Sequence, residues 1–165
     1  MPLGTCMNHT LYINADKFVA VDDELIPTGN LASVDNTPMD FRIPTQIGLR
    51  INDDFEQLKL TGGYDHCFVI NKTNDGIEKI AILSDEQSGR IMEVYTDSIG
   101  VQFYAGNFIE NNTVIGKENC SYKNRSGICL ETGFLPDSVN QPNFPSPVLK
   151  ANEEYTTTTI YKFIY

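Results

Sequence analysis

The sequence predicts an all-β protein of antiparallel strands arranged as a sandwich or barrel, and three observations carry that expectation. Apolar residues recur mostly with a period of two. No stretch holds an apolar i, i+3, i+4, i+7 stripe over three turns. Short strand-like runs follow one another closely, with turn residues between them. In order, Leu11-Tyr12-Ile13 and Lys17 to Val21 read as strands separated by Asn14-Ala15-Asp16. Glu24 to Leu49, punctuated by Pro27, Pro38 and Pro44, reads mostly as turn and loop. Asp53 to Leu60 has room for one or two helical turns. His66 to Ile70 is the next strand, with Cys67-Phe68-Val69-Ile70 as its core. Ile77 to Leu83 and Arg90 to Thr96 flank Ser84-Asp85-Glu86-Gln87-Ser88-Gly89, a hairpin loop whose charges are those of an exposed turn. Val101 to Tyr104 and Gly127 to Thr132 follow. Four prolines between Phe134 and Val148 mark another loop, and Tyr155 to Tyr165 closes the chain with β-branched and aromatic residues.

The 165 residues suffice for one domain with a sizeable core. Twelve Lys and Arg against 22 Asp and Glu leave a net charge of −10, which would repel a phosphate backbone, so nucleic-acid binding is not expected. No apolar run approaches a membrane span of roughly 20 residues. Met1-Pro2-Leu3-Gly4-Thr5 has neither the basic start nor the apolar stretch of a secretory signal. Cys6, Cys67, Cys120 and Cys129 lack ligand-like spacing; Cys120 and Cys129 could bridge a loop, but buried thiols in a reducing compartment are the simpler expectation. The sequons at Asn8, Asn71, Asn111, Asn119 and Asn124 then follow from an Asn-rich composition. The expected location is cytoplasmic.

Three places carry polar residues suited to chemistry. In Gly62-Gly63-Tyr64-Asp65-His66, glycines permit a tight turn or a close backbone approach ahead of a carboxylate. Asp65 could accept hydrogen bonds from hydroxyls or orient a neighbouring His; equally, it could cap a turn. Glu131 lies between apolar neighbours on a strand, where a face turned to a cleft would make it a general base and a face turned to solvent would make it ordinary. Gln102 sits among aromatics in Val101-Gln102-Phe103-Tyr104, a combination that suits a carbohydrate site or a cross-strand pair. The sequence has no G-x-S-x-G elbow, Walker loop, H-E-x-x-H or dinucleotide fingerprint, and His9 and His66 cannot make a three-His metal site.

Seven pieces then occur in one order: Leu25-Ile26-Pro27-Thr28-Gly29, Thr37-Pro38-Met39-Asp40-Phe41-Arg42, Gly63-Tyr64-Asp65-His66, Ser88-Gly89-Arg90, Gly100-Val101-Gln102-Phe103-Tyr104, Leu130-Glu131-Thr132 and Phe144-Pro145-Ser146. The series resembles the C-terminal half of the aldose 1-epimerases, also called galactose mutarotases. The likeness runs from about Asn14 to the C-terminus and is weak over residues 1–13. It implies that residues 1–165 form the C-terminal portion of a galactose mutarotase-like antiparallel β-sandwich. It also implies interconversion of the α and β anomers of free hexoses such as galactose and glucose, without metal or organic cofactor. In that chemistry a general base takes the C1 hydroxyl proton while a general acid protonates the ring oxygen, and the opened ring closes on its other face. Carried over by resemblance, Glu131 is the base, Asp65 holds sugar hydroxyls and Gln102 is a sugar contact.

The chain departs from the family in two respects. The family's N-terminal half supplies an Arg and two His, one of them the acid, and has no counterpart here. Asn8-His9-Thr10 superficially matches the acid-bearing segment, yet His9 lies only seven residues before Asp16, a spacing closer to a non-catalytic stretch of the family. Gly133 stands where the family usually has Gln. The expectation is therefore an epimerase-like site with impaired catalysis, or a non-catalytic carbohydrate-binding domain. Strand edges left bare in a half-sandwich would also favour self-association.

Overall fold

A computed structural model describes residues 5–110 and 116–165; the start of the N-terminal segment and the sequon at Asn111 lie outside the described residues. Among the described residues the strands are β1 (Thr10–Ile13), β2 (Ala15–Val21), β3 (Pro27–Ser33), β4 (Thr45–Gln46), β5 (Asp65–Ile70), β6 (Glu78–Asp85), β7 (Arg90–Thr96), β8 (Gly100–Tyr104), β9 (Cys129–Gly133) and β10 (Thr159–Ile164), with a short α-helix, α1 (Glu56–Leu60), before β5 and three single 3-10 turns. They form two five-stranded antiparallel sheets, in the orders β10-β7-β6-β1-β4 and β3-β2-β5-β8-β9.

Leu11, Ile13, Ala81 and Val94 of the first sheet join Phe18, Phe68, Val101, Phe103 and Leu130 of the second in one buried cluster. The period of two seen in the sequence is thus the alternation between this shared core and each sheet's outer face. Phe41, from the loop after β3, plugs the centre: its ring meets Tyr64 at 5.0 Å, Phe103 at 5.6 Å and Phe68 at 6.2 Å, all edge to face. The adjacent Arg42 anchors the loop, pairing with Asp16 at 2.9 Å, Asp35 at 2.5 Å and Asp40 at 2.6 Å.

The predicted break between the first two strands narrows to Asn14. Its N–H donates to Ile80 O in the first sheet at 2.9 Å, and its carbonyl accepts from Asn71 N beyond β5 at 2.9 Å. The chain changes sheets at this residue without losing its backbone hydrogen bonds.

Two strands occupy the stretch expected to be mostly turn and loop. Among the described residues β3 pairs only with β2, and β4 only with β1. Pro27 and Gly29 are compatible with an edge strand because only one side of its backbone enters a ladder. The C-terminal strand is shorter than its composition suggests. The Asp97 carboxylate accepts from Thr158 N at 3.0 Å and from Thr157 Oγ1 at 2.6 Å, and the ladder starts just beyond, at Thr159 opposite Thr96. The hairpin loop is as expected, with Asp85 accepting from Gln87 N and Ser88 N. Of the thiols expected to be buried, Cys6 and Cys67 are; Cys120, in the loop before β9, and Cys129, at the start of β9 on the edge of the second sheet, are only partly covered. No helix among the described residues is long and apolar enough to cross a membrane.

Candidate functional site

The site begins at the turn that aims Asp65. After α1 the chain reverses through Gly62 and Gly63, at φ +62° and +133°. A Cβ on Gly63 would lie 2.6 Å from both Arg125 Nη1 and Asn107 Oδ1, so the turn needs glycine for space as well as for conformation. Asn107 Nδ2 donates to Thr61 O at 2.9 Å and Tyr64 O at 3.1 Å, and Arg125 Nη2 donates to Gly62 O at 2.6 Å. The turn is thereby held from two sides, and Asp65 starts β5 at a defined height.

From there strand parity decides direction. Along β5, His66, Phe68 and Ile70 enter the core, which leaves Asp65 and Cys67 on the outer face. Along β8, Val101 and Phe103 go inward and Gln102 and Tyr104 outward. Along β9, Leu130 goes inward and Glu131 outward. The register places Cys67 opposite Gln102, Gln102 opposite Glu131, and Asp65 opposite Tyr104. Asp65, Gln102 and Glu131 consequently stand together on one face, on three adjacent strands. They line a cleft of about 580 Å³ floored by Val19 and Cys67 and walled by Leu25 and Pro27 on one side and Phe134 and Pro136 on the other. Beyond it, Leu135 and Phe144 pack on Val19 and Cys67 and close the rest of the outer face.

Gln102 Nε2 donates to Asp65 Oδ1 at 2.7 Å. Burial raises the Asp65 carboxyl above the ordinary range, the Gln102 hydrogen bond acts to lower it, and the nearby Glu131 charge raises it further. Burial and the same Glu131 push the Cys129 thiol up. Cys67, under the cleft floor, is pushed up to about 12 by burial and is an inert packing group. Two carboxylates and a carboxamide over an aliphatic floor offer several acceptors and a fixed amide to a small polyhydroxylated molecule, and Glu131, the more exposed acid, is open to receive a proton.

Of the two histidines, His66 borders the cleft with its ring buried and His9 stands elsewhere. The His66 imidazole turns into the core edge-on to Phe18 at 5.6 Å, with Nδ1 accepting from Asp65 N at 3.3 Å and Nε2 buried without a partner. The Asp65 carboxylate therefore does not orient it; the contact is through the Asp65 backbone N–H. His9 precedes β1 in the other sheet and lines a separate cavity with Cys6, Leu83, Asp85 and Met92. Tyr104 joins the cleft, and Cys129 stands beside Glu131, although nothing in the sequence singled out either as a site residue. Their signal was parity: both lie an even number of residues from a site residue on the same strand. The walls Leu25, Pro27 and Phe134 come from loops whose placement is tertiary.

Comparison with known proteins follows the same span. The family model described as aldose 1-epimerase matches residues 2–162. Galactose mutarotase of Bos taurus is 43% identical over 156 residues, which are 94% of this chain and 44% of that protein. Aldose 1-epimerase of Escherichia coli (strain K12) is 38% identical over 159 residues, 95% of this chain and 45% of that protein. The chain thus spans somewhat less than half the length of the curated relatives it matches. Among solved structures, a GalM/aldose epimerase homologue from C. elegans superposes with a TM-score of 0.80 at 28% identity, covering 98% of this chain and 47% of the other. Galactose 1-epimerase from Lactobacillus acidophilus gives 0.66 at 26% identity, covering 97% and 45%.

Proposed function

The chain belongs to the aldose 1-epimerase family, and we propose that its cleft is the base-bearing part of an epimerase site for free hexoses such as galactose and glucose. In this reading Glu131 takes the proton from the anomeric C1 hydroxyl, and Asp65 and Gln102 hold hydroxyls so that the ring is presented to Glu131. The observation that carries it is the alignment of these three side chains on one face of β5, β8 and β9 within a single cleft. Ring opening also needs a proton on the ring oxygen. Among the described residues neither imidazole is presented as an open acid there: His66 borders the cleft but its ring is buried edge-on to Phe18, and His9 lines another cavity. A positioned acid is worth about 10²–10⁴-fold in rate, so the chain alone is a poor catalyst in this reading.

Polarimetry of freshly dissolved α-D-galactose tests the proposal. The chain should accelerate mutarotation slightly over buffer, and Glu131→Gln should remove that acceleration while galactose binding, followed by calorimetry, persists. Binding without any acceleration favours the second reading, a hexose-binding domain without turnover, which the placement of His9 supports. Failure to bind galactose or glucose would overturn both readings.

A further inference from the structure

Glu131 stands on an edge strand. Among the described residues β9 pairs only with β8, so one side of its backbone lies outside any ladder. On its own face Glu131 is flanked along the strand by Cys129 and Gly133. A thiol is a weak hydrogen-bonding group, and Gly133 has no side chain to hold a carboxylate; a Cβ built there meets nothing within 4 Å. The height and direction of Glu131 therefore depend on what fixes its backbone.

The fixing contacts come from the other sheet. β10 is the edge strand there, and its Thr159 and Tyr161 share the inward face with their partners Thr96 and Val94, both fully buried. The Tyr161 hydroxyl donates to Leu130 O at 2.7 Å. Thr159 and Thr132 are joined through their hydroxyls, and Thr159 Oγ1 lies 3.2 Å from Thr96 Oγ1, which donates to Thr158 O at 3.1 Å. Further along, the Tyr155 ring lies 5.8 Å from that of Phe134, tilted 34° to it. The C-terminal segment thus holds Leu130, Thr132 and Phe134, and the first two are the immediate neighbours of Glu131. Burial pushes the Tyr161 phenol up, and the Glu131 charge adds to it, in keeping with their nearness.

We propose that Tyr161 and Thr159 are positioning residues for Glu131: without lining the cleft, they lock the free edge of β9 to β10 and keep the carboxylate where the anomeric hydroxyl meets it. The inference rests on the reading of Glu131 as the base. It separates binding from turnover. Asp65 and Gln102 stand on β5 and β8, each paired on both sides, and do not depend on β10. Proton removal at C1 depends on Glu131 alone, and proton transfer falls steeply when the base is displaced.

Amide hydrogen exchange by NMR, together with polarimetry, tests this on the full chain. Tyr161→Phe removes only the hydroxyl, and the β9 amides should then exchange about fivefold faster while those of β2 and β5 stay as they were. The same variant should lose most of the Glu131-dependent acceleration of α-D-galactose mutarotation, with galactose affinity by calorimetry unchanged. Thr159→Val should act in the same direction, and Thr159→Ser, which restores a hydroxyl, should recover the parent values. Lys162→Ala, which removes only the ion pair with Glu93 on the other face of β10, should change neither readout. Acceleration that survives both Tyr161→Phe and Thr159→Val would overturn the positioning role and leave the cleft reading standing. Unaltered exchange in β9, or an effect that Lys162→Ala reproduces, would do the same. Galactose left unbound, or bound with no acceleration that depends on Glu131, would overturn the base and this inference with it.

Discussion

Gln102 stands between the two acids of the cleft: its Nε2 donates to Asp65 Oδ1 at 2.7 Å, and its backbone lies directly opposite Glu131 in the β8–β9 ladder. The carboxamide steadies the more buried acid, while the more exposed Glu131 has the Cys129 side chain as its hydrogen-bond neighbour. The arrangement costs stability, because a half-buried carboxylate beside another carboxylate is tolerated for its position rather than for its energy.

That cost is measurable at Asp65. Its carboxyl titrates above the ordinary value in the folded chain, so between the unfolded value of 3.8 and the raised folded one the folded state holds more protons than the unfolded. Stability from this group is present below that window and lost as the pH rises through it. Asp65→Asn removes the penalty. Its midpoint of thermal unfolding should exceed that of the parent at pH 7, and the difference should shrink as the pH is lowered toward 4. A lower midpoint at pH 7 would show that the carboxylate stabilises the fold.

His66 produces the opposite slope. Burial lowers its imidazole from 6.5 to about 4, so the unfolded chain takes up a proton that the folded chain refuses. The contribution is complete above pH 6.5 and lost as the pH falls toward 4, amounting to roughly 3 kcal/mol across the window. Urea unfolding at pH 7, 5.5 and 4.5 should follow that loss, and His66→Leu should flatten the profile. An unchanged slope in the variant would place the acid sensitivity elsewhere.

Phe41 is fully buried among Tyr64, Phe68 and Phe103, although it comes from a loop. Phe41→Ala should destabilise the chain by about 3–5 kcal/mol, as expected for an aromatic removed from a packed core. Denaturant unfolding gives the number, and a cost below about 1 kcal/mol would mean that the loop does not close the core in solution.

The last strand presents the remaining expectation. Among the described residues β10 is an edge strand paired only with β7, and Phe163 is 61% exposed, with Ile160 and Tyr161 also open to solvent. A free backbone edge beside apolar side chains templates pairing with a second copy. The net charge of −10 opposes contact, and salt screens it. Size-exclusion chromatography with light scattering should show association increasing with salt. A monodisperse monomer at low and high salt would overturn this.

Much of the site was legible in the sequence because strand parity is a local property. Once Cys67 to Ile70, Val101 to Tyr104 and Cys129 to Thr132 read as strands, the apolar neighbours of Asp65, Gln102 and Glu131 fixed which way each side chain points relative to them. Gly62-Gly63 marked the turn that starts β5 for the same local reason: few other residues take those backbone angles. The weakly patterned edge strands β3 and β4 escaped, since a strand with one partner and two partly wetted faces needs no strict alternation. The meeting of Asp65, Gln102 and Glu131 was decided only by the tertiary structure. It depends on β5, β8 and β9 being neighbours, although the long loop between β8 and β9 sets no register, and a slip of one residue would turn Glu131 into the core. The same holds for the separation of His9 from the cleft and for Tyr155 coming to rest on Phe134. Parity along a strand is written in its own residues, whereas adjacency between strands is settled by which faces can share one core.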